Sequence, residues 1–289
     1  MSSKKYKLIS IFDSSNQRDS LKNLAIDKIL KVFQPEDMFY LGGTVNANIA
    51  YDISEHIKKS DFVVIWNGSE VGCFWVREIC NMFNIPYCII ERGLFPQGKN
   101  NFIIDKEGIC CRSESIKESC FDQNQLKENL ETINAHYSDR SLRRRTAINK
   151  TVFVFQLRFD STVYHYSNFD SNENMVDYYV SKNNIDPSSV VICPHPRERN
   201  ITSKYKISTN PTIKECEDAK LAVGISSTTM YEILGLGCPV DVLGGNSSFT
   251  HPINREWSDK QFIIPTILQN QFYTTDPNEE IYKKITQNL

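Results

Sequence analysis

Short apolar runs recur along this chain, each closed by a polar or glycine turn and followed by a helical pattern, and few folds accommodate that order. Lys7 to Phe12 is the first run, and Asp13-Ser14-Ser15-Asn16 reads as its closing loop. Arg18 to Phe33 follows, with Leu21, Leu24, Ile29, Leu30 and Phe33 at helical spacing. Met38 to Leu41 turns at Gly42-Gly43, and Ala47 to Lys59 reads as a helix. Phe62 to Trp66 is a strand ending in Asn67-Gly68, Phe74 to Phe83 a helix, and Tyr87 to Ile90 a strand ending in Glu91-Arg92-Gly93. Thr151 to Phe155 opens a second set, with a helix over Asn172 to Lys182 and strand runs at Val190 to Cys193 and Leu221 to Ile225. Apolar strands that alternate with helices predict parallel sheets in an α/β fold.

The segment between the two sets is different. Residues 94–125 read as irregular, with a helix over Gln123 to Thr132. Ser138 to Lys150 carries Arg140, Arg143, Arg144 and Arg145 without core spacing. It reads as a linker, and its arginines either face solvent or hold an anionic acceptor. The chain of 289 residues is long enough for two domains, expected at 1–140 and 141–289, both Rossmann-like. Phe262 to Ile264 reads as a last strand and Asn278 to Gln287 as a last helix.

Charge and composition narrow the partners. A formal net charge of −2 gives no basic field for nucleic acid, and no nucleic-acid partner is expected. No run approaches the ~18 apolar residues of a membrane span, and Leu8 to Phe12 is too short and polar for a signal sequence. The nine cysteines include no CxxC pair and read as reduced packing thiols of a cytoplasmic protein. No metal is expected.

Residues 190–240 carry the most chemistry. The run Val190 to Cys193 ends in Pro194-His195-Pro196, which cannot continue a strand. Leu221 to Ile225 ends in Ser226-Ser227-Thr228-Thr229, and a helix pattern with Met230, Ile233 and Leu234 follows, stopped by Gly235 and Gly237. The hydroxyls read either as plain N-caps or as part of an anion site. With His195 on a neighbouring strand end and Glu232 just inside the helix, the set suits a nucleotide: phosphate on His195, Ser226, Ser227 and Thr228, ribose on Glu232. Phe153 to Phe155 likewise runs into Gln156 and stops at Asp160, which reads either as an Asx-turn residue or as a carboxylate at the cleft. If the extended backbone persists, Gln156, Arg158 and Asp160 share one face.

These residues carry a resemblance. Ser226 through Glu232 to Gly237-Cys238-Pro239-Val240 resembles the donor-nucleotide motif of GT-B glycosyltransferases. His195-Pro196 with Ser226-Ser227 is similar to the paired motifs of enzymes that use CMP-activated sugars, such as bacterial sialyltransferases and Kdo transferases. Gln156, Asp160 and Ser161 match the QxxxDxS pattern of the capsule polysaccharide biosynthesis family, the retaining β-Kdo transferases. Trp66-Asn67-Gly68, Glu91 to Pro96, and Ile104 to Gly108 with Ser113 resemble further blocks of that family, so the likeness spans roughly residues 62 to 240. Members carry a Lys before the His-Pro pair; here Cys193 and Pro194 precede it and Arg197 follows.

The resemblance implies a GT-B architecture of two Rossmann-like domains with a cleft between them. It implies transfer of Kdo from CMP-Kdo to a glycan or glycolipid acceptor, with Asp160 as nucleophile. A retaining transfer also needs an acid/base on the other face of the anomeric carbon, and Glu91, after a strand of the opposite half, reads either as that group or as a salt-bridge or loop carboxylate. Gln156, Arg158, Ser161, Gly93 and Asn67 then line the substrate; His195, Pro196, Arg197, Ser226, Ser227, Thr228 and Glu232 hold the nucleotide. The donor serves as substrate and no cofactor is implied, while contact with the inner membrane face or an assembly complex stays open. A sialyl, UDP-linked or phosphoribosyl donor is the alternative within the fold. A non-catalytic glycan- or nucleotide-binding subunit and a nucleotide-sugar epimerase are alternatives of other classes. Asp105 and Glu107 are expected in an exposed loop, and His251 reads as a weaker substrate-contact candidate.

Overall fold

The computed structural model describes residues 6–13, 20–42, 47–67, 71–96, 99–108, 113–157, 160, 163, 167–198, 201–246 and 249–287. In the first half, β1 (Leu8–Asp13), β2 (Asp37–Gly42), β3 (Phe62–Trp66) and β4 (Tyr87–Arg92) run parallel to their neighbours. β5 (Asn101–Asp105) turns antiparallel to β4. In the second half, β6 (Ile148–Val154), β7 (Val190–Cys193), β8 (Lys206–Ile207), β9 (Ala219–Gly224) and β10 (Val240–Val242) form a parallel sheet in the order β10-β9-β6-β7-β8. A hairpin of β11 (Gly245–Asn246) and β12 (Phe249–Thr250) stands apart. The α/β expectation holds, with two parallel-rich sheets.

Burial on both faces explains the apolar runs. All five residues of β3 are buried, as are the four of β7. In the first half α1 (Ser20–Phe33) covers one face, with Ala25, Ile26 and Ile29 against Ile9 and Ile11. α2 (Ala47–Lys59) and α3 (Val71–Phe83) cover the other, where Ile57 and Val76 meet Val63 and Ile65. In the second half alternate residues of β6 and its exit part: Val152 and Val154 join one core, Phe153 and Phe155, just past the strand, another. α5 (Asn172–Lys182) covers the latter through Met175, Val176 and Tyr179. The other core also takes Tyr137 of α4 (Leu126–Asp139) and Leu94, Phe95 and Ile103 of the first half, so one apolar cluster joins the halves. Each fully buried Ile, Val or Phe there contributes about 1.5–3 kcal/mol. The buried Cys88 and Cys193 belong to these cores as packing residues.

The chain does not divide once at residue 140. β13 (Gln271–Tyr273) pairs antiparallel with β5, completing the order β13-β5-β4-β3-β1-β2. The last helix, Asn278–Gln287, packs Ile281 and Ile285 into the α1 face of the first sheet. The expected strand at Phe262 to Ile264 is instead the entry to a helix over Ile263–Asn270. Ile263 and Ile267, four residues apart, share its buried side, a helical spacing that the run of three apolar residues hides. Among the described residues no helix is long and apolar enough to cross a membrane.

Two arginines of the linker, Arg144 and Arg145, are bound to the protein itself. Arg144 donates to the backbone oxygens of Cys216, Glu217 and Ala219, and Arg145 Nε stands 3.1 Å from Glu217 Oε2. They staple the linker to the start of β9.

Candidate functional site

Three neighbouring strands, β9, β6 and β7, deliver their carboxyl ends side by side. Gln156 follows β6, His195 follows β7 and Ser226 follows β9. Gln156 is buried and holds the site together. Its Oε1 accepts from the Ser226 backbone N–H at 2.8 Å and pairs with Ser226 Oγ at 3.2 Å. Asn172 grips the Gln156 backbone from both sides: its Oδ1 accepts the Gln156 N–H at 3.2 Å, and its Nδ2 donates to the Gln156 oxygen at 2.8 Å. Gln156 therefore positions the hydroxyl turn. Sequence reasoning missed Asn172, whose only signal is its place at the start of α5 beside the Ser171 cap.

The turn itself uses part of its hydrogen-bonding capacity internally. Met230 N–H donates to Ser227 oxygen at 3.0 Å and Tyr231 N–H to Thr228 oxygen at 3.1 Å. Ser227 Oγ accepts from Thr229 N–H at 3.4 Å. The helix that follows, α7 (Thr229–Gly235; the short α6 is Thr212–Glu215), has no side-chain cap from Thr228. Gln156 thus already takes up the Ser226 N–H. Ser227 and Thr228 stay half-buried at the strand end.

His195 is half-buried, and its Nδ1 accepts the Arg197 backbone N–H at 3.2 Å. That bond leaves the proton of the neutral ring on Nε2. Burial, then the positive charge of Arg197, push its pKa below the ordinary histidine value; Glu198 and Asp160 pull weakly the other way. The ring is therefore neutral at neutral pH. Pro196 and Arg197 are exposed in the turn, which Glu198 N–H closes onto His195 oxygen at 2.9 Å.

Asp160 lies within electrostatic range of His195, which brings two sequence-derived candidates together. Its backbone is not extended. β6 ends at Val154, Asp160 N–H donates to Leu157 oxygen at 3.0 Å and Val163 N–H to Asp160 oxygen at 3.1 Å. The expected face shared with Gln156 by strand alternation is lost in this turn. Arg158 and Ser161 lie outside the described residues.

Glu232 is turned elsewhere. Its carboxylate is 3% exposed and meets Arg140 Nη1 at 2.6 Å, with His136 Nε2 at 3.9 Å. Its backbone oxygen accepts the Tyr137 hydroxyl. One turn into α7, it faces α4 and the linker and ties the halves together.

The first-half candidates stand on another sheet. Glu91, on β4, is 5% exposed, and Gly108, with φ +94°, lies against its Oε1. Gly93 allows a close approach, though to its own chain: a Cβ there would stand 2.3 Å from Asn101 Oδ1 and 3.0 Å from Gln271 Oε1. Asn67, just past β3, has φ +58° and donates its N–H to Ile90 oxygen at 3.0 Å.

Asp105 is not exposed as expected but buried. Its carboxylate accepts from Glu107 N–H at 2.7 Å, Ser113 Oγ at 3.0 Å and Ser115 N–H at 2.9 Å. It organises its loop, and Glu107 pairs with Arg77. His251 is fully buried, stacks on Tyr231 at 5.5 Å and accepts the Ile253 N–H at Nδ1; burial pushes its pKa down to about 3.

No family model matches the chain, and no curated protein matches its sequence. Among solved structures, it is similar to the KpsC β-Kdo 2,7-transferase of Thermosulfurimonas dismutans, with a TM-score of 0.60 at 15% identity, over 97% of this chain and 99% of that one. A putative D-3-phosphoglycerate dehydrogenase of Ralstonia solanacearum (TM-score 0.27, 10% identity, 98% and 95% covered) and the wall teichoic acid polymerase TagF (0.26, 10%, 98% and 90%) are too distant to carry an argument. The fold is of the GT-B glycosyltransferase type, two Rossmann-like sheets with a shared core.

Proposed function

We propose that the chain is a glycosyltransferase that moves a sugar from a nucleotide donor, CMP-Kdo first among candidates, to a glycan or glycolipid acceptor. The observation that carries this reading is the convergence of Gln156, His195 and Ser226 at three adjacent strand ends, with Asp160 in range of His195. Crevices at the carboxyl ends of such sheets are where nucleotides bind. The Kdo donor is supported by the motif resemblance and by the fold shared over nearly the whole chain with a β-Kdo transferase.

The chemistry follows from the side chains. His195 Nε2–H and the Ser227 and Thr228 hydroxyls donate to the donor phosphate, while Arg197 adds charge from the rim. Asp160 attacks the anomeric carbon, the bond to the phosphate oxygen breaks, and CMP leaves with the electron pair. The acceptor hydroxyl then displaces Asp160 with loss of its proton to a base, so the configuration is retained. Glu91, 5% exposed in the first half, is the carboxylate proposed as that base. The protein acts at the cytoplasmic side, with peripheral contact to the membrane that bears its acceptor.

A thermal-shift and calorimetric screen with CMP, UDP, GDP and phosphoribosyl diphosphate tests the reading, since a bound nucleotide stabilises the fold in step with its affinity. CMP is expected to give the largest shift, and CMP-Kdo to release CMP only when acceptor is present. A chain that binds none of the four is not a nucleotide-sugar transferase. Release of nucleotide without acceptor, with conversion of the sugar, would favour an epimerase.

A further inference from the structure

A cavity of about 300 Å³ opens at the amino end of β4, the end of the first sheet away from the carboxyl ends of its parallel strands. Tyr87 forms part of its wall, with Asn81 and Asn84 from the end of α3 and Lys106 from the loop after β5. Among the described residues no carboxylate lines it. The loop that carries Lys106 is pinned, because Asp105 Oδ1 accepts the N–H groups of Glu107 at 2.7 Å and Gly108 at 3.2 Å. The end of α3 turns back on itself. Asn84 N–H donates to Asn81 oxygen at 3.3 Å and Ile85 N–H to Cys80 oxygen at 2.9 Å. Helix carbonyls that would repel an anion are thereby taken up in part, and Lys106 sets the charge of the cavity.

Behind Tyr87 stands a guanidinium with unused donors. Arg77, one turn before Asn81 on α3, is 6% exposed. It pairs with Glu107 through Nη2, and the Tyr87 hydroxyl lies within its hydrogen-bonding reach. Its Nε and Nη1 are buried and have no hydrogen-bond partner. A buried donor left unpaired costs free energy, and an unmodified apolar side chain in its place would not. The Glu107 side chain is 38% exposed, so the carboxylate that holds Arg77 stands at the edge of the water. Sequence reading placed Glu107 in a loop and passed over Arg77.

We propose that this cavity binds the phosphate group of a small phosphorylated molecule, held by Lys106, by the Tyr87 hydroxyl and the Asn81 and Asn84 amides, and by Arg77 once the phosphate displaces Glu107. Arg77 and Lys106 then face a dianion together, where Arg77 now faces one carboxylate. The planar guanidinium matches phosphate oxygens, and phosphate supplies the acceptors that Nε and Nη1 lack. The volume stands at the lower end of small-molecule sites and suits a sugar phosphate better than a nucleotide. None of the proposed donor-side or catalytic residues takes part, so the site stands or falls apart from the transferase reading.

Calorimetry on the full chain, with and without CMP, tests the site with inorganic phosphate, glucose 6-phosphate and glucose. At least one phosphate compound is expected to bind at equal strength in both conditions, and glucose is not. Lys106→Gln, at an exposed position, should weaken that binding about tenfold, and Arg77→Met should abolish it. Glu107→Gln removes the competing carboxylate and should tighten it about threefold. Should Arg77→Met fail to fold, Lys106→Gln and Glu107→Gln decide. A wild type that binds neither phosphate compound overturns the site, as does phosphate binding that CMP displaces or that neither of those two variants changes. A protein that binds phosphate with these variant effects and never binds CMP keeps the site and loses the transferase reading.

Discussion

Gln156 Oε1 stands 2.8 Å from the backbone nitrogen of Ser226, a partner 70 residues later in the chain. The bond ties the end of β6 to the end of β9, and both residues are buried. Asn172 fixes Gln156 in turn. The hydroxyl turn thus owes its conformation to a side chain on another strand. In Gln156→Ala the Ser226 N–H is left buried without that acceptor, which costs about 1–3 kcal/mol. Urea unfolding should report that loss, and calorimetry a parallel loss of nucleotide affinity. Gln156→Glu keeps the accepting oxygen and should recover part of both. Full nucleotide affinity in the alanine variant would mean that the turn holds its shape unaided.

The two residues show where sequence reading stops. Ser226 and Gln156 each follow a buried apolar run, so strand ends and turn were legible from local pattern. Their pairing was not, because which strands lie side by side depends on tertiary packing. The same limit hid β5: Asn101 to Asp105 is five residues in a segment rich in turn formers, and it becomes a strand only by pairing with β4 and β13. It also hid the return of residues 271–287 to the first sheet. Glu232 was placed correctly near a helix start, yet its direction depends on Arg140, which lies in a basic run without core spacing.

Glu232 yields a prediction opposite to the one its motif suggests. A ribose ligand would lose nucleoside affinity on Glu232→Gln and keep phosphate affinity. A tie between α7 and the linker loses stability instead. Breaking a buried charged pair at one partner costs about 3–5 kcal/mol, discounted here because the Arg140 side chain is 46% exposed. Glu232→Gln and Arg140→Met should each lower the unfolding midpoint, and the double variant should lose less than their sum. Calorimetry with cytidine and with CMP should show equal, small changes. A selective loss of cytidine binding would return Glu232 to the ribose.

His195 sets a pH dependence whose sign can be worked out. Its pKa lies below the ordinary histidine value, chiefly through burial and then through Arg197. The ring is therefore neutral from about pH 6.5 upward and still donates from Nε2. Its contribution to nucleotide binding should be flat from there to alkaline pH. As pH falls through the lowered pKa the ring gains charge, and attraction to a phosphate rises. His195→Gln keeps a donor without that titration. The affinity ratio of wild type to His195→Gln, which removes the titration of phosphate itself, should rise only on the acid side. A ratio that drops steeply between pH 6.5 and 8 would require an imidazolium.

Asp160 carries the proposed covalent step, and its setting permits a clean test. It sits in a turn closed by its own backbone bonds to Leu157 and Val163. Asp160→Asn keeps size and a hydrogen-bonding oxygen but removes the nucleophile. Stability and nucleotide affinity should remain near wild type, while transfer falls by roughly a thousandfold or more. The variant also removes a negative charge that supports protonation of His195, so the pKa of His195, followed by NMR, should drop further. That shift reports on proximity independently of activity. With the second step slowed in Glu91→Gln, donor alone should raise the intact mass by one glycosyl unit, and peptide mapping should find it on Asp160. An Asp160→Asn variant that transfers sugar at a near wild-type rate would rule out double displacement at this carboxylate.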